Sequence, residues 1–183
     1  MILIRQLTPL DAMEVRALRL TALLKNPTSF AGSYDDEAAQ PHADTATRLA
    51  PHPNRVQIGA FADDTLVGTV GVTRESMAKL AHKTAIWGMF VVAEHRGCGI
   101  GRKLLTAALN AASAFSGVRQ VTLYVNATNA GAIALYESLG FVTYGIEPSG
   151  MLVNGQYFDE QLMVRLIEQG MNQVALPNPF RTL

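Results

Sequence analysis

The sequence predicts a mixed α/β fold in which strands outnumber helices in the second half. Three features predict it. Strand-like runs bounded by turn residues crowd the middle and the end of the chain. From Thr84 to Val125 a strand, a glycine-rich turn, a long helix and another strand follow in the order of one parallel crossover. No repeat, low-complexity stretch or linker divides the 183 residues, which at roughly 150 per domain make a single domain, placed at 1–166, with a tail at 167–183.

The elements follow in order. Met1 to Leu7 alternates weakly and predicts an edge strand. Thr8-Pro9 predicts a helix start, with Thr8 as N-cap and Pro9 at the first helical position. Leu10, Met13, Val15, Leu18, Leu20 and Leu24 give that helix a broad apolar stripe, which Asn26-Pro27 ends. Ser29 to Gln40 predicts a weaker helix or loop, and His42 to Pro53 an irregular stretch around a short helix. Val56 to Ala62 and Leu66 to Arg74 flank Asp63-Asp64 as a hairpin. Thr84 to Val92, rich in β-prone residues, predicts a central strand. After the turn at Arg96 to Gly101, Leu104, Leu105, Ala108, Leu109 and Ala112 recur at three and four, as a helix requires. Gln120 to Val125 alternates as a strand. Asn129 to Leu139 predicts a helix closed by Gly140 in the left-handed position. Phe141 to Glu147 and Tyr157 to Leu166 are final strands joined across Asn154-Gly155.

Composition narrows the function. Hydrophobic residues at 49% and charged residues at 16% exclude a disordered chain. Fifteen basic and fifteen acidic residues cancel, which argues against a globally basic nucleic-acid binder. Cys98 is the single cysteine, so neither an internal disulfide nor a thiolate-based zinc site is available. The four histidines lack metal-ligand spacing, and no metal is expected. The longest strongly apolar run, Ala85 to Ala93, is too short to span a bilayer. Met1 to Arg5 has no basic stretch ahead of its apolar run, so a cytoplasmic location is expected.

The glycine-rich turn carries the chemistry. Arg96-Gly97-Cys98-Gly99-Ile100-Gly101, followed by Arg102-Lys103, lies between a strand and a helix. Its glycines tolerate positive φ and bare the backbone N–H groups, and the helix adds its unpaired donors and positive dipole end. A diphosphate suits such a turn. Two other phosphate motifs fail: both Gly-x-x-x-x-Gly-Lys and Gly-x-Gly-x-x-Gly, read from Gly97, place a required glycine on Arg102.

Met89-Phe90-Val91 followed by Arg96, Gly99 and Gly101 resembles the coenzyme A motif of the GNAT superfamily of N-acetyltransferases. A second block, Leu123-Tyr124-Val125-Asn126, Asn129, Ala132, Leu135-Tyr136-Glu137 and Gly140-Phe141, is similar to that family's Asn-x-x-Ala-x-x-x-Tyr-Glu-x-x-Gly-Phe segment. The resemblance covers Thr84 to Gly145 strongly and the rest by element order. It implies a mostly antiparallel sheet splayed at a central parallel pair and flanked by helices. It implies acetyl-CoA as co-substrate, with the pantetheine arm along Met89, Phe90 and Val91 and the pyrophosphate on Gly97, Cys98, Gly99, Ile100, Gly101 and Arg102. Asn129 resembles the side chain that bonds the cofactor arm, and Tyr136 the acid that protonates the departing thiolate. Ile133 shares their helical spacing.

The base stays open. Many relatives carry a glutamate on the fourth strand, where this chain has Ile86-Trp87-Gly88. Candidates are Asp35, Glu37, Glu75, His82, Glu147 and Asp159, or a chain of waters. Phe30, Tyr34, Glu37 and Trp87 are expected to line the acceptor side, an aromatic and acidic lining suited to a cationic amine. The implied reaction is direct transfer of an acetyl group to a primary amine in a ternary complex. A longer acyl chain and a non-catalytic CoA-binding module remain alternatives. The acceptor is open among small molecules, peptide N-termini and protein lysines. A homodimer packed through the tail from Ile167 to Leu183 also fits the resemblance.

Overall fold

Seven strands make one sheet in the computed structural model, which describes residues 1–167. In chain order they are β1 (Ile2–Gln6), β2 (Arg55–Ala62), β3 (Thr65–Arg74), β4 (Lys83–Val91), β5 (Gln120–Asn126), β6 (Val142–Val153) and β7 (Gln156–Leu166). The helices are α1 (Ala12–Lys25), α2 (Tyr34–Ala38), α3 (His42–Leu49), α4 (Ile100–Ala114) and α5 (Ala130–Glu137). Across the sheet the order is β1-β2-β3-β4-β5-β7-β6. Neighbours are antiparallel except β4 and β5, which run parallel and are joined through α4.

Turn chemistry sets the hairpins. Asp63 and Asp64 both take positive φ between β2 and β3, and Asn154 and Gly155 do so between β6 and β7. Such two-residue turns match the twist of the strands they join. β6 runs to Val153, well past the expected Glu147, because irregular pairing between Glu147 and Met151 absorbs extra residues and lets it continue to the turn.

The start of α1 is held by one carboxylate. Asp11 accepts the Thr8 N–H at 2.7 Å and the Thr8 hydroxyl at 3.0 Å, and pairs with both Arg5 terminal nitrogens at 2.6 and 2.9 Å. Hydrogen bonding from Arg5 holds the Asp11 carboxyl well below the usual range, against the opposing effect of its burial. α1 buries Val15, Leu18, Ala22 and Leu23. Leu10, Met13 and Leu24, which the spacing places on the same stripe, are exposed. At about 100° per residue, Met13 and Leu24 point roughly half a turn away from Val15, so the true stripe is narrower.

Two apolar clusters sandwich the sheet. In one, Leu104, Leu105, Ala108 and Ala112 of α4 meet Val70, Val72, Val121 and Met163 of the strands. In the other, Val15, Leu18 and Ala22 of α1 and Leu49 of α3 meet Phe61, Leu66 and Phe90. β3, buried from Leu66 to Val72, is the keel between them. The tail beyond Ile167, with the dimer contact expected of it, lies outside the described residues. Among the described residues no helix is long and apolar enough to cross a membrane.

Candidate active site

The site exists because β4 and β5 stop pairing. Their register covers Lys83, Thr84 and Ala85 against Gln120, Val121 and Thr122, and then the strands part. Gly88 is the cause on the β4 side. It sits at φ +61°, where the β3–β4 register slips between Thr69 and Gly71, so β4 carries an extra residue and turns aside. Beyond Ala85 the free edge of β4 faces open space. That edge is what an extended ligand arm needs in order to pair as an added strand.

A cleft of about 710 Å³ fills the opening. Met89, Phe90 and Val91 line one wall, with Asn129, Leu135 and Tyr136 on the other. Gly97, Gly99, Gly101 and Arg102 close the end beside α4. Gly97 and Gly99 take φ +77° and +78°, and a Cβ on either would meet only open space. Glycine is therefore needed there for backbone conformation rather than for room. Gly101 differs: it is helical, and its Cβ would press Leu135 Cδ2 at 3.2 Å. The first bond of α4 runs from Lys103 N–H to the Gly99 carbonyl. The N–H groups of Ile100, Gly101 and Arg102 thus have no acceptor within the helix. Among the described residues no carboxylate lines this cleft. Bare donors, a helix dipole, two arginines and the absence of acid fit a diphosphate.

The side chains named from sequence differ in what they offer the cleft. Arg96 lines the cleft but is largely engaged, donating from Nε to the Val91 carbonyl and from Nη2 to Asn26 Oδ1, both at 2.8 Å. Arg102 donates to Ser138 Oγ at 2.8 Å, which ties α4 to the end of α5. Cys98 is exposed and its thiol is not among the lining groups; Ile100 is buried in the core and offers only its backbone. Asn129 caps α5, its Oδ1 accepting the Ala132 N–H at 3.2 Å, which leaves the amide nitrogen for a ligand. Ile133 packs on the core instead of lining the cleft.

Tyr136 is fixed from two sides. Gly140 at φ +85° turns the chain so that Phe141 N–H bonds the Tyr136 carbonyl at 3.1 Å. Phe141 then enters the core and meets the Tyr136 ring edge-on at 5.9 Å. The phenol reaches Met89 Sδ at 3.7 Å, across the cleft. Burial pushes its pKa up to about 12, so the hydroxyl keeps its proton at neutral pH.

A second cavity, about 460 Å³, opens on the other side of the splay. Phe30, Trp87, Gly88 and Tyr124 line both cavities and mark where they join. Trp87 lies over Gly71, where any Cβ would strike the indole, and its N–H donates to Thr73 Oγ1 at 2.8 Å. Phe30 stacks edge-on against Phe90 at 6.3 Å. Glu37 lines this cavity, but Arg19 holds it with both oxygens engaged at 2.6 to 3.1 Å. Tyr34 lines neither cavity.

The expected acidic lining is not what the fold builds. Arg16, Arg19 and Arg48 reach the second cavity, against Glu37 and Glu160. Of the base candidates only Glu37 lines it; Asp35, Glu75, His82, Glu147 and Asp159 do not, and Asp159 accepts the Ser149 N–H at 2.8 Å. Sequence reading missed Glu160. Burial first, and the neighbouring Glu147 second, push its carboxyl pKa upward. Asn126, named from sequence only as part of the second block, is a buried amide that accepts from Thr128 and donates to the Thr28 carbonyl at 3.1 Å, pinning the end of β5 to the segment before Phe30. Strand alternation on β7, which sets Glu160 opposite in facing to Asp159, is the signal that separates the two acids.

The comparisons with known proteins agree with this geometry. Residues 19–141 match the model of the Acetyltransferase (GNAT) family. Spermidine N(1)-acetyltransferase of Vibrio cholerae is 27% identical over 111 residues, 61% of this chain and 64% of that protein. The chain spans at most 64% of the length of the curated relatives it matches. An acetyltransferase of the GNAT family from Streptococcus pneumoniae superposes with a TM-score of 0.82 at 26% identity, covering 91% of this chain and all of that one. A Salmonella typhimurium protein solved with its cofactor acetyl-CoA superposes at 0.77 and 19% identity, covering 96% and 99%, and shows the fold. A sheet that splits beside a glycine-rich turn is thus matched by sequence and by shape, and the chain belongs to the GNAT acetyltransferase family.

Proposed function

We propose that this protein transfers an acetyl group from acetyl-CoA to a primary amine, with the amine attacking directly in a ternary complex. One observation carries the reading: two cavities meet at a break in a single strand pair, one closed at its end by the N–H donors of the glycine turn and one lined by aromatic, apolar and charged side chains. Co-substrate and acceptor thereby approach each other from opposite faces of the sheet.

The residues fit acetyl-CoA. Gly97, Gly99 and the N–H groups of Ile100, Gly101 and Arg102 would hold the diphosphate, with Arg102 and the free nitrogen of Arg96 as cations. The edge of Met89 to Val91 and the Asn129 amide would hold the arm. When bound, acetyl-CoA supplies an acyl group activated as a thioester. Tyr136, still protonated and reaching across the cleft to Met89, would donate a hydrogen bond to the thioester sulfur as negative charge develops there. Glu160 accepts the proton that an ammonium acceptor must lose before its nitrogen can attack. Cys98, the single thiol, lines neither cavity, which favours direct attack over an acyl intermediate on the protein.

The test is release of free thiol from acetyl-CoA over a panel of amino acids, polyamines, aminoglycosides and peptides. At least one amine is expected to give saturable, acceptor-dependent release. Binding of acetyl-CoA without acceptor-dependent release from any amine would leave a binding module and overturn the transferase reading.

A further inference from the structure

The second cavity holds more fixed positive charge than a polyamine pocket should. Arg19 is neutralised by Glu37, but Arg16 and Arg48 have no carboxylate partner among the described residues. Arg16 is spent on positioning, donating to the Glu37 and Ala38 carbonyls at 3.2 and 2.8 Å. Arg48 makes no such bond and is exposed where α3 borders the cavity. Thr45 lies three residues earlier, on the same face of α3.

Thr45 is the second, independent observation. It is 3% exposed, lines the cavity, and its hydroxyl has no partner among the described residues. Thr21, Thr47 and Ser113, also helical, donate to the carbonyl four residues back at 2.9 to 3.1 Å. Thr45 does not take that local bond. A buried hydroxyl left unmatched is costly unless something external matches it. A planar fork of donors beside a buried hydroxyl suits a carboxylate, which accepts from both.

Resting on the acetyltransferase reading above, we propose that Arg48 and Thr45 form a carboxylate-recognition subsite, so that the acceptor is a small amine carrying an anionic group, of α-amino-acid type. Its ammonium end meets Glu160 on the β7 wall, while its carboxylate meets α3. The same guanidinium groups repel a polycation such as spermidine.

The experiment is acetyl-transfer kinetics on the full chain with α-amino acids, each matched to its carboxamide and to the amine lacking the carboxyl, with spermidine alongside. The acids are expected to exceed their matched partners in kcat/KM by about 10- to 100-fold, the effect of a charged hydrogen bond. Arg48→Gln should erase that preference through KM, with Arg48→Lys restoring part of it, and Thr45→Val should reduce it several-fold. Equal kcat/KM across the matched sets, a preference for spermidine, or a preference that survives Arg48→Gln overturns the subsite. If no compound releases thiol, the same sets are titrated calorimetrically into CoA-saturated protein. Carboxylate-dependent heat lost in Arg48→Gln then supports the subsite although the transfer reading has failed; its absence overturns the subsite.

Discussion

At the scale of single residues, burial bears directly on the roles proposed for Tyr136 and Glu160. A phenol at about 12 facing a thiol of about 8.5 cannot hand over its proton downhill. The direction of that gap favours Tyr136, in the proposed reaction, as a hydrogen-bond donor to a developing thiolate. Losing such a donor typically costs about 10²–10³-fold. Tyr136→Phe should therefore lower kcat by that order and leave acetyl-CoA affinity nearly unchanged; an unchanged kcat would remove Tyr136 from the chemistry. The sign for Glu160 is opposite in consequence. Its raised pKa keeps it protonated to higher pH than a free glutamate, so the acidic limb of kcat/KM should lie above the ordinary carboxylate range. Glu160→Gln should remove that limb and slow the reaction near neutrality. A limb that persists in Glu160→Gln points to another base.

At the scale of elements, two short stretches make the site: the bulge at Gly88 and the turn at Gly97 to Gly101. Both depend on backbone conformations that cost an L-residue about 1–2 kcal/mol each. Space is not limiting at Gly97 or Gly99, so alanine there strains the turn without striking a neighbour. The double variant Gly97→Ala, Gly99→Ala should weaken acetyl-CoA binding by roughly 10-fold or more while its circular dichroism stays that of the parent. Gly101→Ala differs, since alanine favours the helix but its Cβ would stand 3.2 Å from Leu135 Cδ2, so its gain in stability should fall short of what helix preference alone would give. An acetyl-CoA affinity unmoved by the double variant would mean that the turn does not hold the phosphates. These elements also separate what the sequence discloses from what it hides. The two-residue hairpins, the crossover and the glycine turn were legible because local φ requirements dictate their residues. Gly88 sits inside an apolar strand run, and nothing in that run says where pairing with β5 will cease. α3, expected as a short helix within His42 to Pro53, shows no clear face in sequence, and Thr45 and Arg48 resemble surface residues there until the helix turns them to one wall. Glu160 looks like one charge among several on β7 until alternation separates it from Asp159.

At the scale of the whole molecule, the two halves of the sheet pair through three residue pairs at the parallel junction among the described residues. α4 and the apolar cluster beneath it hold both halves. A ligand arm paired to the free edge of β4 would extend that contact, and so should stabilise the fold as a unit. By mass action, acetyl-CoA at 100 times its dissociation constant adds about 2.7 kcal/mol. For a chain of this size, one kcal/mol moves Tm by about 2–4 °C, so a rise of roughly 5–10 °C is expected. Tyr136→Phe should keep the rise, because the role proposed for it is in the reaction. The Gly97→Ala, Gly99→Ala variant should lose most of it at the same concentration. Trp87, the only tryptophan in the chain, lines both cavities and gives a second reading of the same event through its emission. Acetyl-CoA and acceptor should each perturb it, from opposite sides. A Tm and an emission spectrum both unmoved by millimolar acetyl-CoA would show that the split in the sheet holds no such ligand, and the proposed chemistry would have no place to occur.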